Sequence, residues 1–126
     1  MKEVDLNKKV ADFICTLPES FARKRLAGPN QKGQPDITGC IQGIRIELEG
    51  KLDGNKPTPI QKNWLKKWSN AGAYVGVYWT LAGAKKLIAM RFPGVLCHGN
   101  RFGEVDPALK PEVGTFLCDI DDIMEL

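Results

Sequence analysis

The chain has 126 residues, of which 43% are hydrophobic and 26% charged, with a net charge of +3. That balance suits a soluble globular protein and excludes intrinsic disorder, which needs few apolar residues and a high net charge. No apolar run approaches the roughly 18 residues of a membrane helix, and Met1-Lys2-Glu3-Val4-Asp5 is too polar for a signal-peptide core, so a soluble cytoplasmic protein is expected.

The charge is unevenly placed. Residues 1–111 hold all 18 basic residues against 10 acids, a local charge of +8, while the tail carries only Glu112, Asp119, Asp121, Asp122 and Glu125. A basic body with an acidic tail fits a polyanionic partner, nucleic acid first, although on charge alone a solvated basic surface is the simpler reading. Cys15, Cys40, Cys97 and Cys118 form no C-x-x-C pair, and the single histidine, His98, adjoins Cys97. Buried thiols are therefore expected rather than disulfides or a zinc site, and any metal should be held by oxygen.

In chain order, Leu6, Val10, Phe13, Ile14 and Leu17 recur at helical spacing and predict an amphipathic helix ending before Pro18. Glu3 stands one turn ahead on the same stripe, either solvated or with a task. Residues 20–27 read as a basic strand, and 28–35, rich in Gly and Pro, as a loop. Residues 37–41 and 44–48 form a hairpin across Gln42-Gly43. In its second strand Ile46 and Leu48 point one way, and Glu47, Glu49 and then Lys51 the other.

Thr58-Pro59-Ile60-Gln61 opens a helix with an N-cap, a proline in the first turn and a capping box. Ile60, Trp64, Leu65, Trp68 and Ala71 are its expected buried stripe, and Gly72 stops it. Residues 73–79 read as an interior strand, 81–90 as a short helix, 115–120 as a late strand and 121–126 as a terminal turn or helix. Residues 91–111 give little periodicity. The first 80 residues thus follow the order α-β-β-β-α-β, an α/β fold with a small mixed sheet flanked by helices.

Asp36 opens one hairpin strand, and Glu49 and Lys51 end its neighbour. Strands lie about 4.8 Å apart, so a suitable register lets Asp36 and Glu49 share a hard cation such as Mg²⁺ or Mn²⁺. Lys51 beside them would orient a water or offset charge on a phosphate, the parts of metal-assisted phosphodiester hydrolysis. By themselves Glu47, Glu49 and Lys51 also fit a solvated strand face with an ion pair.

The ordered set Gly33-Gln34-Pro35-Asp36, Glu49-Gly50-Lys51, Thr58-Pro59-Ile60-Gln61, Trp64-Leu65 and Ala71-Gly72-Ala73 resembles the virus-type replication-repair nuclease (VRR-NUC) domain of the PD-(D/E)xK superfamily, with its αβββαβ core. The resemblance spans about residues 1–80, leaving 81–126 as a C-terminal extension of one domain. It implies that Asp36, Glu49 and the backbone carbonyl of Gly50 bind the metal and that Lys51 is the catalytic lysine. Gln61 matches a glutamine near the site, although capping alone accounts for it. Glu3 matches an acid that approaches a second metal position. Glu49, not Glu47, takes the metal role because it stands two before a lysine, itself seven before the helix cap. Gly50 replaces the family's usual apolar residue.

The expected activity is that of a Mg²⁺- or Mn²⁺-dependent, structure-specific DNA endonuclease. Arg23, Lys24, Arg25, Lys62, Lys66 and Lys67 would make sequence-independent phosphate contacts. By the same resemblance it would be a homodimer from a phage or bacterium that cuts branched DNA such as four-way (Holliday) junctions, in DNA repair or related processing. Two alternatives stay open: a non-catalytic DNA-binding module on a degenerate nuclease fold, and a sequence-specific restriction-type nuclease.

Overall fold

The apolar stripe of the first segment winds helix α1 (Glu3–Cys15), with Leu6, Val10 and Ile14 almost wholly buried. The chain then enters strand β1 (Ser20–Lys24). A hairpin follows, β2 (Ile37–Ile41) and β3 (Ile44–Gly50), closed by Gln42 and Gly43. Both turn residues have positive φ, 48° and 82°, the backbone of a turn whose twist matches that of the strands it joins. Helix α2 (Pro59–Asn70) crosses over to β4 (Tyr74–Tyr78). Next come α3 (Leu81–Arg91) and the single turn α4 (Pro93–Leu96), and after the intervening segment β5 (Phe116–Leu117) and α5 (Ile120–Met124). The computed structural model describes residues 2–26, 28, 32–96 and 111–126. Cys97 and His98 lie outside the described residues.

The strands form one mixed sheet in the order β1-β2-β3-β4-β5. The β3–β4 pair is parallel and the other pairs antiparallel. This is the small mixed sheet flanked by helices expected from the element order, and it agrees with the PD-(D/E)xK-like core that the resemblance implies. Helices α1 and α3 close one face over a core that includes Ile37, Ile41, Ile46, Leu48 and Leu87. Helices α2 and α5 close the other with Leu65, Val75, Val77, Trp79 and Ile123. That second cover is partial. It lies over β3, β4 and β5, and among the described residues no helix packs on the same face of β1 and β2.

Three expectations need correction. Of the proposed α2 stripe only Leu65 is buried, while Ile60 and Ala71 are exposed. Trp68 is half-buried against the core on that face, and Trp64 and Trp68 both also reach the loop before β2, their indole N–H groups donating to the Lys32 carbonyl (3.1 Å) and to Gln34 Oε1 (3.2 Å). The loop can approach because Gly33 has φ +78° and no side chain, and a Cβ there would run into Ile60 and Trp64. The three described thiols are not buried either. Cys15 and Cys40 are exposed and Cys118 half-buried, because Cys15 ends α1 off its apolar stripe and Cys40 faces the uncovered side of β2. Lastly, β1 ends at Lys24 rather than Ala27, although the Arg25 N–H still donates to the Asp36 carbonyl at 2.7 Å.

Candidate active site

The hairpin register brings the acids together. Ile37 pairs with Leu48, so Asp36 stands opposite Glu49 one step further, and both point to the α2 side of the sheet. The Gly50 N–H donates to Asp36 Oδ2 at 3.1 Å, which ties the loop carboxylate to the strand end. Glu3, in the first turn of α1, reaches the same point from the other side of the sheet. One carboxylate oxygen each of Glu3, Asp36 and Glu49 lie within 4.8 Å of one another.

Glu49 is fully buried, and neither of its oxygens has a hydrogen-bonding partner. Its near neighbour is the Asp36 carboxylate, with which it can share only a proton. Burial, then Asp36, push the Glu49 carboxyl up to about 11, against a smaller downward pull from Lys51. Burial likewise raises Glu3, opposed by the Lys51 charge and the Leu52 N–H. Three acids against one ammonium leave an excess of negative charge that either protons or a cation must balance. Buried carboxylate oxygens with nothing donated to them, in an all-oxygen set, fit a hard divalent ion.

Lys51 is 8% exposed, and its backbone N–H donates to the Tyr78 carbonyl at 2.9 Å, so its position is set by the β3–β4 pairing. Gly50 has a local reason. A Cβ there would fall 2.9 Å from Tyr78 Cε2 and against Asn7 Oδ1, where the Tyr78 hydroxyl donates to the Asn7 amide oxygen in a buried bond. Asn7 lies one helical turn after Glu3, so this bond pins the end of α1 that presents Glu3. Asn7 and Tyr78 escaped the sequence reading, although a polar residue four after Glu3 on the apolar stripe was a usable signal.

Glu47 is the larger surprise. It sits on the Glu49 face but takes no part in the acid cluster. Its buried carboxylate accepts from Arg25 Nη1 (2.8 Å), Arg45 Nε (2.9 Å) and the Thr38 hydroxyl. Arg25 also donates to the Pro35 carbonyl, and Arg45 lies 4.6 Å over the Trp68 ring. The strand face that the sequence also allowed to be solvated is thus closed by α2 over Glu49 and by two arginines over Glu47.

The remaining residues scatter. Gln61 completes the capping box, its Oε1 accepting from the Thr58 N–H at 2.8 Å, and it lines a cavity of about 270 Å³ together with Asp36 and Arg25. Arg23 is exposed on that side of the sheet, whereas Lys24 shares the face of Ala22. Lys62 reaches the Met124 carbonyl at 3.5 Å, Lys67 lies 4.5 Å over Trp64, and Lys66 is half-buried. No helix among the described residues is long and apolar enough to cross a membrane.

No protein-family model matches the sequence, and neither does any curated protein. Among solved structures the chain is similar to one described as a VRR_NUC domain, with a TM-score of 0.60 and 25% sequence identity over 71% of this chain and 96% of that one.

Proposed function

We propose that this protein is a nuclease that hydrolyses DNA phosphodiester bonds with Mg²⁺ or Mn²⁺. The observation that carries the reading is the acid cluster: Glu3, Asp36 and Glu49 converge within 4.8 Å, with the Glu49 oxygens buried and unpartnered and Lys51 alongside. The likeness to a VRR_NUC domain supports it independently. Asp36 and Glu49 would hold the ion together with the Gly50 carbonyl, and Glu3 would serve a second position. When bound, the ion would supply Lewis acidity toward the phosphate.

The chain's own groups do the rest. Lys51 presents a largely desolvated ammonium where negative charge accumulates on the phosphate, and such a charge acts more strongly here than in water. The Asp36–Gly50 bond and the Asn7–Tyr78 bond keep the acids from following substrate movement. Gln61, held by its cap, lines the approach to Asp36 and would position a water or a phosphate oxygen.

The proposed substrate is branched DNA, four-way junctions included. The proposed assembly is a homodimer, in which a two-fold axis would pair two incisions. Labelled duplex, flap, splayed and four-way substrates, incubated with and without Mn²⁺, test the reading. Cleavage that EDTA stops and Mn²⁺ restores is the expected result. Binding without cleavage on every substrate would make the chain a DNA-binding module instead.

A further inference from the structure

The half of the sheet that α2 leaves bare is a groove of about 570 Å³, lined by Phe21, Arg23, Arg25, Thr38 and Arg45 among others. It adjoins the cavity that contains Asp36, with Arg25, Leu26 and Gln34 lining both. The register orders its contents. Arg23 pairs with Thr38, and Phe21 with Cys40, which in turn faces Arg45. At about 3.4 Å per strand residue, these positions stand roughly 7 and 14 Å along the sheet from Asp36, where the next nucleotides of an extended strand would lie.

Three arginines meet one acid here, Glu47, so the groove keeps a positive excess. Two of the three are held in advance. Glu47 fixes Arg25 and Arg45, Trp68 stacks under Arg45, and Arg45 Nη2 also donates to the Thr38 hydroxyl at 2.9 Å, while both arginines line the groove. Beside them stand two large apolar side chains kept out of the core, Phe21 (63% exposed) and Leu26 (80% exposed). Paired bases in a duplex cover one another's faces, so an apolar ring amid arginines has nothing to stack on there. Against an unpaired nucleotide it does, and aromatic stacking combined with basic backbone contacts is how single strands are held.

We infer that this groove seats an unpaired stretch of the substrate strand next to the scissile nucleotide, with phosphates on Arg23 and Arg45 and a base on Phe21. The inference rests on the nuclease reading and narrows its substrate, within branched DNA, to forms with a single-stranded segment such as flaps and splayed arms, in preference to fully paired four-way junctions. Glu47 is then a positioning residue for the two arginines, not a ligand of the site.

The test is fluorescence anisotropy on the full chain in EDTA, with three labelled probes: a single-stranded thymidine oligomer, a splayed duplex and a blunt duplex of equal length. Phe21→Ala should weaken binding to the first two about tenfold and leave the blunt duplex unchanged, while Phe21→Tyr keeps wild-type affinity. Arg23→Ala should lower the salt slope on the single strand by about one. An equal loss on all probes, or none on any, overturns the groove assignment. Cleavage of the same probes in Mn²⁺ by the wild type is scored separately. Absence of cleavage on these probes and on the flap and four-way substrates refutes the nuclease reading, whereas wild-type cleavage with no Phe21 dependence refutes only the groove.

Discussion

Replacing Glu49 with glutamine should make the metal-free protein more stable at alkaline pH while removing its response to divalent ions. In the folded chain the Glu49 carboxyl is raised from 4.5 to about 11, first by burial and then by Asp36. A raised folded value means that the native state holds the proton more tightly than the unfolded chain does. The resulting stability is fully present below pH 4.5 and is lost progressively as pH climbs toward 11. The loss is at most about 1.4 kcal/mol per pH unit, on the order of 5 kcal/mol by pH 8. With an unfolding entropy of about 2.1 cal/mol/K per residue, each kcal/mol moves the midpoint of this 126-residue chain by about 4 °C. The substituted glutamine carries no titrating proton, and its amide can donate to Asp36. Thermal melts in EDTA from pH 6 to 9 should therefore show the wild type falling by at least about 5 °C relative to Glu49→Gln, since other titrations cancel in the comparison. Added Mn²⁺ should restore the wild type, most at pH 9, and leave Glu49→Gln unmoved. Parallel melting curves for the two proteins would refute both the burial argument and the metal assignment.

Asp36→Ala should abolish single-turnover cleavage in saturating Mn²⁺ while DNA affinity in EDTA survives; retained activity would remove Asp36 from the site. Glu47→Ala should cost much less activity than Glu49→Ala but should destabilise the fold by about 2–4 kcal/mol in urea melts, because it strands Arg25 and Arg45. Lys51→Ala should bind Mn²⁺ at least as well as wild type by calorimetry yet cleave about 10²–10³-fold more slowly, and Lys51→Arg should not rescue it, since a planar guanidinium does not replace a compact ammonium. Gly50→Val should lower stability by about 1–3 kcal/mol through overpacking against Tyr78 and Asn7, and far-UV circular dichroism melts measure that directly.

Local signals determined much of this molecule. The 3–4 residue spacing of Leu6, Val10 and Ile14, the Gln42-Gly43 turn and the Thr58 capping box act within a few residues, so local pattern alone was enough to place α1, the hairpin and the start of α2. The hairpin register then follows from the turn, and with it the meeting of Asp36 and Glu49 across neighbouring strands. What covers each face is another matter. Glu47 and Glu49 occupy equivalent positions two residues apart on β3, and although the spacing to Lys51 singled out Glu49 through the resemblance, no local pattern says that one carboxylate is a buried orphan and the other is clasped by two arginines. That difference arises because α2 reaches across β3 and β4 and stops short of β2, so Arg25, Arg45 and Trp68 finish the cover over Glu47 alone. The same incomplete cover leaves Cys40 and Phe21 in the open. Likewise Trp64 and Trp68 kept helical phase but also engaged the Gly33 loop, whose Lys32 carbonyl and Gln34 side chain accept from their indole N–H groups, while Trp68 stays half-buried against the core. Periodicity tells which residues share a face, and only the packing of distant segments decides whether that face meets water, an arginine or a helix.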